Sequence, residues 1–177
     1  IVVGGGPGGC AMALFLKQQG HHVLLLDEAR FPRDKVCGEG VSPESWRLLD
    51  RLGLAPSVRA LSPHPLRGMS LTSPDGTTIV GDYRGANVPG FALRRERLDQ
   101  ALLEGARAAG VTVLEGVRAT DILREGGAVV GVVGETAQGP TSYRARLVVG
   151  ADGRRSLVAR RLGLLREPPS LRKFAVR

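Results

Sequence analysis

Ile1-Val2-Val3-Gly4-Gly5-Gly6-Pro7-Gly8-Gly9 reads as a β-branched strand running straight into a Gly-x-Gly-x-x-Gly turn, and Asp27 follows 18 residues after Gly9. This is the pattern of a dinucleotide-binding βαβ unit. A phosphate must reach main-chain N–H groups at a helix N-terminus, where side chains would block it and the helix dipole favours negative charge. Gly4 permits the tight turn, Gly6 the close approach of a pyrophosphate and Gly9 the packing of helix on strand; Pro7, at the helix start, belongs to the same cradle. From Cys10 to Gln19 the spacing is helical, with Ala11, Leu14 and Phe15 on one stripe and Gly20 as the stop. Val23 to Leu26 is a continuous apolar run, as a parallel strand buried on both faces requires. Asp27 ends that strand, where a carboxylate can accept both hydroxyl hydrogens of an adenosine ribose and would repel a 2′-phosphate.

Beyond Asp27 the loop Glu28 to Gly40 is dense in charge and glycine. Ser42-Pro43-Glu44 predicts an N-cap and a helix over about 43–52, followed by a proline-bearing connection over 55–65. Gly68 to Leu71 and Thr77 to Val80, joined by Ser73-Pro74-Asp75-Gly76, predict a β-hairpin. Leu93 to Ala109 predicts an amphipathic helix with Leu98, Leu102 and Ala106 on the buried stripe, and Val111 to Leu114 the next parallel strand. Three short strands between Gly116 and Arg146 read as an antiparallel meander. Leu147 to Gly153 reads as another buried strand ending in Asp-Gly, before a helix from about Ser156 to Leu162. A βαβ unit interrupted by a meander before its last strand departs from the nicotinamide dehydrogenase plan and points to flavin.

The 177 residues suffice for one ordinary domain, and 42% hydrophobic with 24% charged residues is a globular composition. No apolar run approaches the ~20 residues of a membrane helix, so a cytoplasmic protein is expected. Two cysteines, Cys10 and Cys37, indicate neither a disulfide framework nor a zinc site. His21, His22 and His64 fall in turns without partner spacing, so neither a Ser/His/Asp triad nor a metal is expected. The net charge of +8 raises nucleic acid or an anionic membrane as partners, yet the arginines are spread from Arg30 to Arg177 among acids and without aromatic interleaving. No nucleic-acid partner is expected, and peripheral membrane contact stays open. Ile1 begins inside a strand and Arg172 to Arg177 reads as the opening of another, so the chain is expected to be part of a longer protein.

Three segments carry a family resemblance: Gly4 to Gly9 with Asp27; Phe31-Pro32-Arg33-Asp34-Lys35-Val36-Cys37-Gly38-Glu39-Gly40; and Gly150-Ala151-Asp152-Gly153-Arg154-Arg155-Ser156. Together they resemble the N-terminal FAD-binding part of the oxidoreductase superfamily of aromatic-ring hydroxylases, squalene epoxidases and geranylgeranyl reductases. The middle segment is most similar to the geranylgeranyl-reductase-like branch; the Gly-Glu-Ser of flavin halogenases is not matched by Cys37-Gly38-Glu39-Gly40. The resemblance implies an α/β fold: a Rossmann-like FAD-binding domain with a parallel central sheet and an inserted antiparallel β-meander. It also implies part of a second β-sheet substrate domain, to which residues 66–90 would belong.

By the same resemblance Gly4, Gly6, Pro7 and Gly9 hold the FAD pyrophosphate and Asp27, where the family more often has Glu, the adenosine ribose. Arg95, heading Arg95-Glu96-Arg97-Leu98-Asp99, would reach the FAD, with Arg94 and Arg97 as alternative registers. Asp152 and Gly153 match a motif near the pyrophosphate and ribose; Asp152 is equally suited to capping the helix that follows. Cys37 either neighbours the flavin ring and substrate channel or is a thiol that merely packs. NADH or NADPH is the implied electron donor, and a small or isoprenoid-like molecule the substrate, to be hydroxylated, epoxidised or reduced. An NAD-binding module without flavin remains the alternative, though it leaves the second and third segments without a purpose.

Overall fold

The computed structural model describes residues 1–83 and 88–165. In chain order its elements are β1 (Val2–Val3), α1 (Pro7–Gln18), β2 (Leu24–Asp27), β3 (Gly40–Val41), α2 (Glu44–Arg51), α3 (Ala55–Ala60), β4 (His64–Leu66), β5 (Gly68–Thr72) and β6 (Thr78–Asp82). They continue with β7 (Gly90–Ala92), α4 (Arg95–Ala108), β8 (Thr112–Glu115), β9 (Arg118–Glu125), β10 (Ala128–Thr136), β11 (Gly139–Arg144), β12 (Val149–Gly150) and α5 (Leu157–Arg161). The chain divides into two compact units, residues 1–33 with 99–177 and residues 34–98.

The first unit is built on a parallel sheet in the order β12-β1-β2-β8, extended by the antiparallel meander β11-β10-β9 as a separate sheet. Its mixed architecture, with the nucleotide turn at the carboxyl end of β1, is the Rossmann-like plan that the sequence predicts. Strand alternation decides which side chain faces which layer. Val3 and Leu26 pack with Val117, Ile122 and Val132 of the meander region and Val158 of α5. Val2 and Leu25 point the other way and are fully buried, as are Cys10 and Ala13 of α1, the helix packed against β1 and β2. Each buried Leu or Val here contributes about 1.5–3 kcal/mol of transfer free energy, which offsets the entropy of ordering strands only two to four residues long.

Both helix-to-strand turns of this unit use the same device. Gly20 and Gly110 take the left-handed φ of +82° and +86°, and the next residue reaches back to the helix, His21 N–H to the Leu16 carbonyl and Val111 N–H to the Ala106 carbonyl.

In the second unit β3, β7 and β4 form one antiparallel sheet in the order β3-β7-β4, and β5 and β6 a hairpin. Trp46 and Phe91 stack at 4.5 Å, and the Trp46 indole N–H donates to the Pro89 carbonyl. The hairpin matches its sequence signals, but its residues Met69, Leu71, Ile79 and Val80 are all exposed.

Four expectations are corrected. Ser42 gives no side-chain cap, because Pro43 already has helical φ and ψ at the cap of α2 and the Ser42 contribution is its carbonyl. The connection over 55–65 contains α3, which Pro56 opens rather than breaks because a first-turn proline forfeits no helical hydrogen bond. His64 lies in β4 rather than in a turn. The stretch 147–153 forms only the two-residue β12, with Leu147 61% exposed, because it pairs β1 at one side of the sheet instead of filling its centre. The strand expected over Arg172 to Arg177 lies outside the described residues.

Candidate functional site

The glycine turn is shaped by contacts that leave no room for side chains. Gly4 sits at φ +102°, donates its N–H to the Leu26 carbonyl at 2.7 Å, and a Cβ there would overlap the Ala151 carbonyl oxygen. A Cβ on Gly9 would overlap the carbonyl oxygen of Gly4. The two motifs that the sequence separates by almost the whole chain therefore meet at Gly4, beside Ala151 and Asp152. Gly8 is different: a Cβ there would meet nothing within 4 Å.

The opening of α1 suits an anion. Its cap residue, Gly6, is extended and offers no side chain, Pro7 has no N–H, and no acidic residue occupies the first turn. Asp27 stands across from it, buried to 8% exposure, accepting from Gly5 N–H at 2.6 Å through Oδ2 and from Ala29 N–H at 2.8 Å through Oδ1. Each oxygen keeps acceptor capacity for a further donor. Cys10 donates its thiol hydrogen to the Gly5 carbonyl at 3.2 Å, and burial together with the Asp99 and Asp27 charges pushes its pKa up to about 12. It is a packing thiol.

Asp152, at the end of β12, spends both oxygens on α5: Oδ1 accepts from Ser156 Oγ at 2.6 Å and Oδ2 from Leu157 N–H at 2.6 Å. Ser156 in turn accepts from Ala159 N–H at 3.0 Å. Gly153, exposed at φ +79°, follows in a turn that a β-carbon would strain.

The other two sequence candidates lie in the second unit. Cys37 is half-buried, and its thiol is held below the usual range first by the Glu39 N–H, then by the Arg95 side chain. Arg95 is the half-buried member of its cluster; Arg94 and Arg97 are exposed, and Arg94 pairs with Glu96 at 2.8 Å.

Two residues escaped the sequence reading. Asp99 is fully buried and faces Arg33 at 3.2 Å. Glu115 accepts from Phe31 N–H at 2.6 Å and from Arg107 at 2.5 Å, tying the loop after Asp27 to α4 and β8. Asp99 carried a signal: it shares the buried stripe of Leu102, Leu103 and Ala106, where a carboxylate needs a cation.

A family model described as an FAD binding domain matches residues 1–174. The chain belongs to this FAD-binding domain family. FAD is accordingly the cofactor of this FAD-binding domain, and the uncapped α1 terminus, side-chain-free turn and Asp27 fit it. The domain is 37% identical over 169 residues to the 6-methylpretetramide 4-monooxygenase of Streptomyces rimosus, a match covering 92% of the chain and 40% of that protein. It is 34% identical over 166 residues to a digeranylgeranylglycerophospholipid reductase of Methanocella arvoryzae, covering 93% of the chain and 41% of that protein. Among solved structures, the flavin-dependent halogenase CmlS superposes with a TM-score of 0.82 at 27% identity, covering 92% of the chain and 30% of that structure. The domain thus spans about two-fifths of the length of the curated relatives it matches. These relatives bear out the hydroxylase and geranylgeranyl-reductase-like superfamily that the three segments resemble.

Proposed function

We propose that this FAD-binding domain is the cofactor-holding part of an oxidoreductase that uses NADH or NADPH. It would either hydroxylate or epoxidise a small or lipophilic substrate with oxygen, or reduce isoprenoid-type double bonds. FAD, when bound, supplies the hydride and electron chemistry; the chain supplies binding, orientation and control of water. The observation that carries this reading is the α1 N-terminus, open to an anion and facing the buried carboxylate of Asp27.

In this reading Gly4, Gly6, Pro7 and Gly9 cradle the pyrophosphate and Asp27 accepts from the adenosine ribose hydroxyls. Arg95, the half-buried arginine of its cluster, supplies a cation for phosphate oxygens. Asp152 orders the turn at Gly153 by capping α5, so its service to the cofactor is indirect. The exposed hairpin within residues 66–90 belongs with the sheet that selects substrate. No helix among the described residues is long and apolar enough to cross a membrane, and a cytoplasmic setting suits a nicotinamide donor.

The monooxygenase relative supports the oxygen-dependent chemistry, and the reductase relative supports an isoprenoid substrate. The visible spectrum of the full-length protein, followed by anaerobic NADH or NADPH and then air, tests the proposal. Flavin bands that bleach with a nicotinamide and return in air with product oxygenation support the monooxygenase; bands that bleach with saturation of an isoprenoid support the reductase. Absence of flavin after reconstitution would overturn both.

A further inference from the structure

Gly5 is the variable position of the Gly-x-Gly turn, yet it is held at both ends. Its N–H donates to Asp27 Oδ2 at 2.6 Å and its carbonyl accepts from the Cys10 thiol at 3.2 Å, both bonds buried. A Cβ on Gly5 would stand 3.2 Å from Asp27 Oδ2 and 3.3 Å from Leu25 Cδ2, so the residue is closely packed as well. We infer, on the reading that the FAD pyrophosphate meets the opening of α1, that Cys10 is a positioning residue: its S–H fixes the Gly5–Gly6 peptide so that Gly6 N–H stands ready for a pyrophosphate oxygen.

The Gly5–Gly6 bond is trans, so its carbonyl and its N–H point in opposite directions. With the Gly5 carbonyl turned toward Cys10 on α1, Gly6 N–H faces away from that thiol, and it has no acceptor among the described residues. The neighbouring Gly4–Gly5 plane is fixed independently: Asp27 takes its N–H, and its carbonyl lies against Gly9, where a Cβ would overlap it. Both planes of the turn are thus set before a ligand arrives, which spares part of the ordering cost of binding.

Packing alone would be served by alanine at position 10, which is 0% exposed. The thiol adds a weak donor to a buried carbonyl that has no other partner among the described residues. Without it the carbonyl is unsatisfied, a penalty relieved by turning the peptide, which takes Gly6 N–H with it. Burial, with the Asp99 and Asp27 charges, keeps the thiol protonated, and only the protonated form donates.

The test is displacement of FAD from the full-length protein by ADP and by adenosine, which differ in the pyrophosphate alone. In folded Cys10→Ala the affinities for FAD and ADP should fall about three- to tenfold, the worth of one hydrogen bond, with that for adenosine unchanged. Cys10→Ser, which restores a donor, should return both to the parent values. Cys10→Val fills the slot without a donor and should match Cys10→Ala, so it takes that variant's place should alanine fail to fold. With a parent that binds FAD, three results would each overturn the role of Cys10 and leave the cofactor reading intact: undiminished ADP affinity in the donorless variants, an equal loss for ADP and adenosine, or Cys10→Ser behaving like Cys10→Ala. A parent that binds neither FAD nor ADP would overturn the cofactor reading and the role of Cys10 together.

Discussion

Gly5 N–H points at Asp27 Oδ2 from 2.6 Å, so the residue at the end of β2 holds the glycine turn at the end of β1 in shape before any ligand arrives. Asp27 thus has two tasks, one structural and one toward the ribose. Asp27→Asn removes the charge and half the acceptor capacity and should weaken FAD binding by about 1–3 kcal/mol. Titration of the apoprotein with FAD measures this, and equal affinities would leave Asp27 with the structural task alone.

Neighbouring glycines should respond in opposite ways. Gly9→Ala drives a methyl into the Gly4 carbonyl and should destabilise by about 3 kcal/mol, with loss of FAD. Gly8→Ala enters open space within α1 and should raise thermal stability slightly, by about 0.5–1 kcal/mol of helix propensity. If Gly8→Ala nevertheless loses FAD, the phosphate approaches at that point. Gly6, the extended cap residue, should lose FAD on substitution by any bulky side chain.

Cys10 makes stability sensitive to alkali. Its folded pKa is raised from 9.0 to about 12, so the unfolded chain gives up a proton that the folded chain keeps. The sign is destabilising as pH rises: from 9.0 to about 12 stability should fall by about 1.4 kcal/mol per pH unit, and below 9.0 Cys10 contributes no slope. Denaturant midpoints measured against pH should lose that component of the slope in Cys10→Ala.

Cys37 behaves in the opposite sense. Its thiol is held below 9.0, with Arg95 among the causes, so it should be alkylated at lower pH than an ordinary cysteine while Cys10 stays unreactive. Arg95→Met should move the profile upward. If it does not, the Glu39 N–H alone accounts for the shift.

Asp152→Ala removes the bonds to Ser156 and Leu157 at the start of α5 and should cost about 1–2 kcal/mol in thermal unfolding. FAD affinity compared at a temperature where both proteins are folded separates the capping role from any contact with the cofactor.

The nucleotide-binding half was legible because its signals are local: a strand, a glycine turn and a helix within the first 27 residues, each constrained by its own stereochemistry. The meander was legible for the same reason, from Gly126-Gly127 and the turn before Pro140. What escaped depends on distance along the chain. That Gly4 must be bare because of Ala151, and that Asp99 answers Arg33, are facts about contacts between remote segments; only the misplaced carboxylate in a buried stripe hinted at the second. Helix α3 was missed because residues 55–65 read as a proline-bearing connection, although at a first turn proline is permitted. The stretch 147–153 reads as a buried strand because its apolar run is continuous, yet Leu147 is exposed and only Val149–Gly150 pairs as β12.

The meeting of Gly4 with Ala151 has a consequence for how the polypeptide is made. β1 leaves the ribosome well before the strand that flanks it opposite β2, because Val2 finds its partner in Val149, 147 residues further along. Contacts so remote in sequence form slowly. A nascent chain should therefore hold β1 half-paired until β12 has been made, and the nucleotide cradle should be finished only when β12 docks, so cofactor capture should follow the synthesis of β12.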